Sequence, residues 1–191
     1  MSDIATLTRS FEGAEIPAPS AYAIDGSHSE VGFVVKHMMV SKVRGRFTDF
    51  DGTIHIADDP LQSSVEVNVR LDSVDTRDAK RDEHLRGSDF FGTESNKFMT
   101  FKSTGVRHNK GSEYIVVGDL TLLGVTKPLE LTVDFEGAAK DPWGNDRIGF
   151  SARGELNRDD FGVTYNAALE TGGVLIGKKV TIELEVEAVR T

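Results

Sequence analysis

The chain has 191 residues, a net charge of −9 from 31 acidic and 22 basic residues, and no cysteine. The acidic excess argues against a nucleic-acid partner and against electrostatic docking on anionic lipid, because both need a basic surface. The lack of cysteine excludes disulfides, thiolate nucleophiles and sulfur-ligated metal sites. No signal peptide and no run of 18 apolar residues is recognisable, so we expect a cytoplasmic protein without stable membrane insertion.

Residues 1–20 end in the segment Ile16-Pro17-Ala18-Pro19-Ser20, which predicts an irregular N-terminal arm. Residues 21–191 are long enough for one domain with its own core. Within this domain, turn sequences such as Asp58-Asp59-Pro60 and Asn109-Lys110-Gly111 separate strand-like stretches. The predicted strands span residues 21–25 with 29–40, 43–57, 63–73, 97–108, 112–123, 127–138, 146–157 and 178–189.

These stretches alternate between apolar and polar residues. In the last one, Val180, Ile182, Leu184 and Val186 share one face, and a threonine and three glutamates occupy the other. Successive side chains of a strand point to opposite faces of the sheet. The pattern therefore predicts an antiparallel sheet with one dry face and one wet face.

Several glycines lie inside otherwise favourable strands, among them Gly45 and Gly118. Glycine weakens a flat sheet but permits the sharp coiling that a barrel needs. The apolar phase also slips between Phe47 and Phe50, which predicts a β-bulge near residues 49–52. We therefore favour an all-β fold, a closed eight-stranded antiparallel barrel, over an open sandwich.

Two segments interrupt the strand pattern. Residues 76–86 are strongly charged, Thr76 or Asp78 can cap a helix, and Gly87 can end it. This predicts a short helical insertion lying across the strand ends. Residues 158–163 predict one helical turn, also near the barrel mouth.

The interior of an eight-stranded barrel is either filled by side chains or holds one slim ligand. The strand pattern leaves both interpretations open, because the same residues build a cavity wall or a solid core. Phe90, Phe91 and Phe161 follow the helical segments and are candidates for a lid or mouth. The candidate wall residues are Phe33, Val35, Phe47, Phe50, Phe98, Phe101, Leu120, Leu122, Phe135, Phe150 and Leu184.

Polar candidates are few. His37 continues the inward face of its strand and is able to donate a hydrogen bond to a ligand, although bonding to neighbouring backbone is the simpler interpretation. His28 and His84 lie near aspartates without metal-ligand spacing, so we predict capping and turn hydrogen bonds and no metal site. No nucleophile elbow, phosphate loop or dinucleotide motif occurs, which predicts no catalytic residue and no cofactor.

Several segments, in order over residues 21 to 190, resemble the YceI-like polyisoprenoid-binding proteins. The segments that carry this resemblance are Tyr22-Ala23-Ile24-Asp25-Gly26-Ser27-His28-Ser29, Gly45-Arg46-Phe47, residues 81–91, residues 118–128 and residues 157–163. The resemblance implies a lipocalin-like barrel whose interior holds a long apolar ligand. The chain departs from the family pattern at Gly92 and Lys97, and we expect it to lack the export signal that many relatives carry.

The sequence and the resemblance together predict a protein that binds, sequesters or transports a polyisoprenoid, an isoprenoid quinone or a fatty-chain molecule. The predicted partner is this apolar small molecule, and a homodimer is left open. One alternative is an enzyme acting on an isoprenoid or quinone, with His37 as its acid–base candidate. The other is a filled barrel that serves as an interaction module.

Overall fold

The computed structural model describes residues 7–191; the first six residues of the predicted N-terminal arm lie outside this range. One α-helix, α1, spans Ala79–Arg86, and 3-10 turns span Pro60–Gln62, Leu71–Ser73 and Arg158–Phe161. The strands are β1 (Thr8–Phe11), β2 (Ala14–Pro17), β3 (Ser20–Ile24), β4 (Glu30–His37), β5 (Ser41–Phe47), β6 (Phe50–Ile56), β7 (Ser64–Arg70), β8 (Val74–Asp75), β9 (Phe98–Lys110), β10 (Glu113–Leu122), β11 (Val125–Lys140), β12 (Asp146–Asn157) and β13 (Ile176–Arg190).

The large sheet closes on itself as an antiparallel barrel. Strands β3 and β4 both pair with β13, so they act as one interrupted barrel strand. Strands β6 and β5 pair with β3 and β4 in the same way. Strands β7, β9, β10, β11 and β12 complete the circuit, and the β12–β13 pairing closes it. The predicted eight-stranded barrel is confirmed.

The predicted irregularity after Phe47 is a complete break in the strand. Thr48 and Asp49 lie between β5 and β6. Thr48 N donates to Ser73 O over 3.2 Å, and Asp49 O accepts from Arg70 N over 2.9 Å. The break lets β5 pair with β8 while β6 pairs with β7, which bends the barrel wall at this point.

The N-terminal arm is not irregular where it is described. Strands β1 and β2 form a hairpin, and its turn residues Glu12 and Gly13 both have positive φ, 48° and 83°. Positive φ at both turn positions is the geometry of a tight two-residue hairpin, for which glycine at the second position is well suited. Arg9 fastens the hairpin to the barrel, because Nη1 and Nη2 donate to the carbonyls of Asp58 and Ala57 over 2.5 and 2.6 Å.

Helix α1 lies across the other end of the barrel, as predicted. Its N-terminus is capped by the Asp78 carboxylate, which accepts from Lys80 N and Arg81 N. Asp82 is buried and accepts from both the backbone N–H and the hydroxyl of Thr76, over 2.8 and 2.6 Å. We call this end the helix end and the end covered by β1 and β2 the hairpin end. No helix within residues 7–191 is long and apolar enough to cross a membrane.

Two glycines allow phenylalanine rings to lie against the barrel wall. A Cβ atom on Gly45 would lie 2.3 Å from Cζ of Phe33, and one on Gly118 would lie 2.4 Å from Cζ of Phe101. These separations are shorter than any real contact between carbon atoms. Each ring therefore covers a position that only glycine can occupy.

We expect Gly118→Ala to destabilise the protein by about 1–3 kcal/mol, since the new methyl group displaces the Phe101 ring from the wall. Gly105→Ala is the matched control, because no atom lies within 4 Å of a Cβ at that strand position. The control should be neutral or more stable than wild type. Urea unfolding of the three proteins checks this, and equal stability of Gly118→Ala and wild type would contradict the packing described.

Arg147 joins three carboxylates where β12 meets the connection between β3 and β4. Its Nη1 donates to Asp25 Oδ2 over 2.8 Å and to Glu187 Oε1 over 2.6 Å, and its Nε donates to Asp141 Oδ2 over 2.8 Å. Hydrogen bonds from Ser27, Arg147 and His28 hold the pKa of Asp25 well below its usual range. Burial raises the pKa of Asp141, but hydrogen bonds from Arg147 and Asn145 outweigh it and lower the pKa overall.

A carboxylate whose pKa is lowered by folding stabilises the native state above its unfolded pKa of about 3.9, and this stabilisation is lost as the pH falls toward the folded pKa. We therefore expect the free energy of unfolding to fall progressively below about pH 5. Asp141→Asn should lower stability at pH 7 and reduce this pH dependence. Glu185→Gln, which alters an outer-face carboxylate with no ion pair among residues 7–191, should leave both unchanged. Urea unfolding at pH 7, 5 and 3 measures the effect; identical pH profiles for Asp141→Asn and wild type would refute it.

Candidate functional site

The barrel is hollow. A cavity of about 580 Å³ extends from Ile16 and Pro17 of the hairpin to Leu85 of α1 and Tyr165 at the helix end. This volume lies within the usual range of small-molecule sites, about 300–1,000 Å³. The strand pattern was compatible with a lined cavity or a solid core, and the structure contains the lined cavity.

All but two of the predicted binding residues line this cavity. The strands contribute them through simple alternation, as in β10, where Val116, Leu120 and Leu122 face inward. The predicted residues found in the wall are Phe33, Val35, His37, Phe47, Phe50, Phe90, Phe91, Phe101, Leu120, Leu122, Phe135, Phe150 and Leu184.

Phe98 is the first exception, and its placement in the interior was wrong. It is 51% exposed on the outer surface, with the Arg70 guanidinium carbon 5.9 Å from the ring centroid. Residues three apart in a strand point to opposite faces, so Phe98 and Phe101 were unable to share the inner face. Met99, two residues before Phe101, lines the cavity in its place.

Phe161 is the second exception. It lies in the 3-10 turn Arg158–Phe161, is 3% exposed, and packs into the core at the helix end without reaching the cavity wall. Phe90 and Phe91 do reach the wall. Of the three residues predicted as a lid or mouth, only Phe90 and Phe91 therefore line the cavity. Phe161 is a core residue that packs under the loops of this end.

The sequence interpretation also missed several wall residues. Val65, Val67 and Val69 of β7 line the cavity, and their two-residue spacing was visible in the sequence. Ile16 and Pro17 line it as well, but their role depends on the hairpin that was predicted as irregular. Three further aromatic side chains line the cavity and were not among the predicted binding residues: Tyr114, Tyr165 and His84.

Aromatic rings crowd the helix end of the cavity. The ring centroids of Phe47 lie 5.7 Å from Phe33 and 5.8 Å from Phe91. The ring of His84 meets Phe90 and Tyr165 edge-on, with centroids 5.0 and 4.9 Å away. These separations are typical of favourable aromatic pairs, so the side chains form two packed aromatic clusters at this end.

Two arginines of the cavity lining at the helix end, Arg81 and Arg158, are engaged in structural hydrogen bonds. Arg158 is buried, which lowers its pKa, and its guanidinium donates to the carbonyls of Gly177, Val163 and Ile176 over 2.9, 2.7 and 3.3 Å. Arg81 donates to the hydroxyl and the carbonyl of Thr76. These bonds hold the loops in place and leave the cavity wall predominantly apolar.

The turn that follows His37 is apolar. Met38, Met39 and Val40 form the turn between β4 and β5 and are 43%, 56% and 84% exposed. Met38 and Met39 also have positive φ, an uncommon conformation for residues other than glycine. His37 itself is half-buried in the cavity wall, and among residues 7–191 no hydrogen bond to its imidazole is found.

The aspartates near His28 and His84 have the hydrogen-bonding roles that were predicted. Asp25 accepts from Ser27 and Arg147 and contacts His28, and Asp89 contacts His84 Nε2 over 2.9 Å. Asp25, His28 and Glu187 lie close enough together to share a cation. The Arg147 guanidinium already supplies positive charge to both carboxylates.

Comparison with known proteins finds relatives that match most of the chain. A UPF0312 protein of Staphylococcus epidermidis is 40% identical over 168 residues, which cover 87% of this chain and 95% of that protein. A UPF0312 protein of Staphylococcus aureus is 38% identical with the same coverage. The Campylobacter jejuni YceI protein, a solved structure, is 29% identical with a TM-score of 0.69, covering 82% of this chain and 90% of that one.

A more distant solved structure shares the fold. The polyisoprenoid-binding domain from Saccharophagus degradans has a TM-score of 0.66 at 16% identity and covers 90% of this chain and 99% of that one. The family model described as the YceI-like domain matches residues 22–188. The resemblance that the sequence motifs indicated is confirmed, and the chain belongs to the YceI-like family.

Proposed function

We propose that the protein binds a long apolar molecule inside the barrel and carries it through the aqueous phase without transforming it. The observation that carries this proposal is the continuous apolar cavity of about 580 Å³. The solved Saccharophagus degradans relative, described as a polyisoprenoid-binding domain, supports the same class of ligand. The proposed ligands are a polyisoprenoid, an isoprenoid quinone or a fatty-chain molecule.

The wall chemistry explains how such a ligand is held. Burying each methylene-sized group is worth about 0.8 kcal/mol, so a long chain needs few polar contacts to bind tightly. One methylene more or less in an apolar pocket discriminates only weakly between ligands. We therefore expect the protein to accept chains of related length, up to the limit set by the length of the cavity.

The rim at the helix end supports transfer of the ligand at this side of the barrel. Met38, Met39 and Val40 place exposed apolar surface beside His37, which is part of the cavity wall. Methionine side chains adapt easily to apolar partners of different shape. We propose that the ligand enters and leaves between this turn and the aromatic side chains Phe90 and Phe91.

A thermal-shift experiment with geranylgeraniol tests the proposal. Free ligand at 100 times its dissociation constant stabilises the native state by about 2.7 kcal/mol, which corresponds to a rise in melting temperature of roughly 5–10 °C. Val116→Phe places a larger side chain inside the cavity and should reduce the rise strongly. Val117→Phe, the same change on the adjacent outward-facing residue, should retain it.

Two results would count against the proposal. One is an unchanged melting temperature of the wild-type protein over the whole accessible range of geranylgeraniol concentration. The other is an equal rise in Val116→Phe and Val117→Phe, because this would place the ligand outside the barrel.

A further inference from the structure

The residues that close the cavity at the hairpin end, which we call the floor, include part of the N-terminal hairpin. Ile16 and Pro17 of β2 form part of it, and the hairpin lies before residues 22–188, the range that the family model matches. Beside them, His108 of β9 and Tyr114 of β10 are direct cross-strand partners with ring centroids 5.1 Å apart. Tyr114 lines the cavity.

The Tyr114 hydroxyl is buried without a hydrogen-bond partner among residues 7–191. Buried hydroxyl groups are nearly always hydrogen-bonded, since leaving one unpaired costs free energy. Tyr22 shows the ordinary arrangement in the same protein, because its buried hydroxyl donates to Ala18 O over 3.0 Å. The Tyr114 hydroxyl is therefore a donor available to whatever occupies the adjacent cavity.

The hairpin fixes this floor from outside. Glu12 Oε2 lies 2.6 Å from His108 Nδ1, and the ring of Phe11 meets the His108 ring edge-on at 6.2 Å. His108 Nε2 is 2.9 Å from Gly111 O, so both ring nitrogens are engaged. His108 is thereby held against Tyr114, and Tyr114 in turn keeps a defined position in the cavity wall.

The charges at the floor decide which ligand group suits the hydroxyl. Burial, and next the nearby Glu12 carboxylate, raise the pKa of Tyr114, so the phenol keeps its proton and acts as a donor. The same carboxylate disfavours an anionic ligand group here. Arg9 Nη1 and Nη2 donate to the carbonyls of Asp58 and Ala57, and Arg9 Nε is buried without a partner among residues 7–191. The Arg9 charge lowers the pKa of Tyr114, but by less than the Glu12 carboxylate raises it. An uncharged oxygen acceptor therefore suits this position better than a phosphate or a carboxylate.

We propose that the Tyr114 hydroxyl is an anchor at the floor of the cavity, donating a hydrogen bond to an uncharged oxygen at the leading end of the ligand. This inference rests on the proposed function and names its ligand class more closely: an apolar chain that bears a neutral carbonyl, as a quinone does. The chain then extends from the hairpin end toward the aromatic side chains of the helix end. The hydrogen bond selects among ligands that the apolar wall accepts equally well.

The test compares two probes of similar shape, decyl-1,4-benzoquinone and decylbenzene, in titrations of the wild-type protein and of Tyr114→Phe. The variant retains the ring and removes only the donor. We expect about tenfold weaker binding of the quinone, which corresponds to about 1.4 kcal/mol, and binding of decylbenzene unchanged within a factor of two. The free variant should melt at the same temperature as wild type or higher, because an unpaired buried hydroxyl is gone.

Tyr22→Phe is the matched control, since its hydroxyl is buried, is hydrogen-bonded and lies outside the cavity wall. It should lower the melting temperature and leave the ratio of the two affinities unchanged. Equal losses for both probes in Tyr114→Phe, or no loss for the quinone, would overturn the anchor while leaving the apolar-binding function intact. Failure of the wild-type protein to bind either probe would overturn both.

Discussion

The hollow interior depends on where the phenylalanine rings of the barrel lie. An eight-stranded barrel is narrow enough for opposed side chains to fill it, so a cavity requires that large side chains stay near the wall. Gly45 and Gly118 provide this, because the rings of Phe33 and Phe101 lie over the space that a Cβ atom would need. Each ring then contributes apolar surface to the cavity without crossing it.

The two ends of the cavity differ in the side chains that they present to a ligand. The helix end carries aromatic side chains and the exposed turn Met38–Val40, and Arg81 and Arg158 there hold the loops in place. At the hairpin end, β1 and β2 cover the barrel, and the Tyr114 hydroxyl is buried without a partner among residues 7–191. In the function we propose, the apolar middle supplies affinity for a chain, the helix end its way in, and the hairpin end its orientation.

The sequence was sufficient for the architecture because the strands obey two-residue alternation almost without exception. The alternation from Val180 to Val186 and the irregularity after Phe47 were both visible as patterns. The irregularity was predicted as a β-bulge within one strand, and the barrel has a complete strand break there. The error at Phe98 came from combining it with Phe101, although their spacing in one strand assigns them to opposite faces. Strict use of the alternation would have selected Met99.

Other features were beyond the sequence for physical reasons. Whether inward residues meet or leave a cavity depends on ring orientations such as that of Phe33 over Gly45, which involve residues from two strands. The hairpin of β1 and β2 is short, and its position is set by Arg9 bonding to carbonyls almost 50 residues away. The partnerless hydroxyl of Tyr114 is a property of the folded interior.

The central claim is that an apolar chain occupies the interior of the barrel. Nuclear Overhauser contacts between protons of bound geranylgeraniol and methyl groups of the protein test it most directly. The account predicts contacts to inward-facing methyl groups along the barrel, including those of Val116, Leu120 and Ile16, and none to Val117 on the outer face. Ligand contacts confined to outer-face methyl groups would contradict it. Contacts between inward-facing methyl groups of opposite strands would also contradict it, because they would show that the side chains fill the barrel.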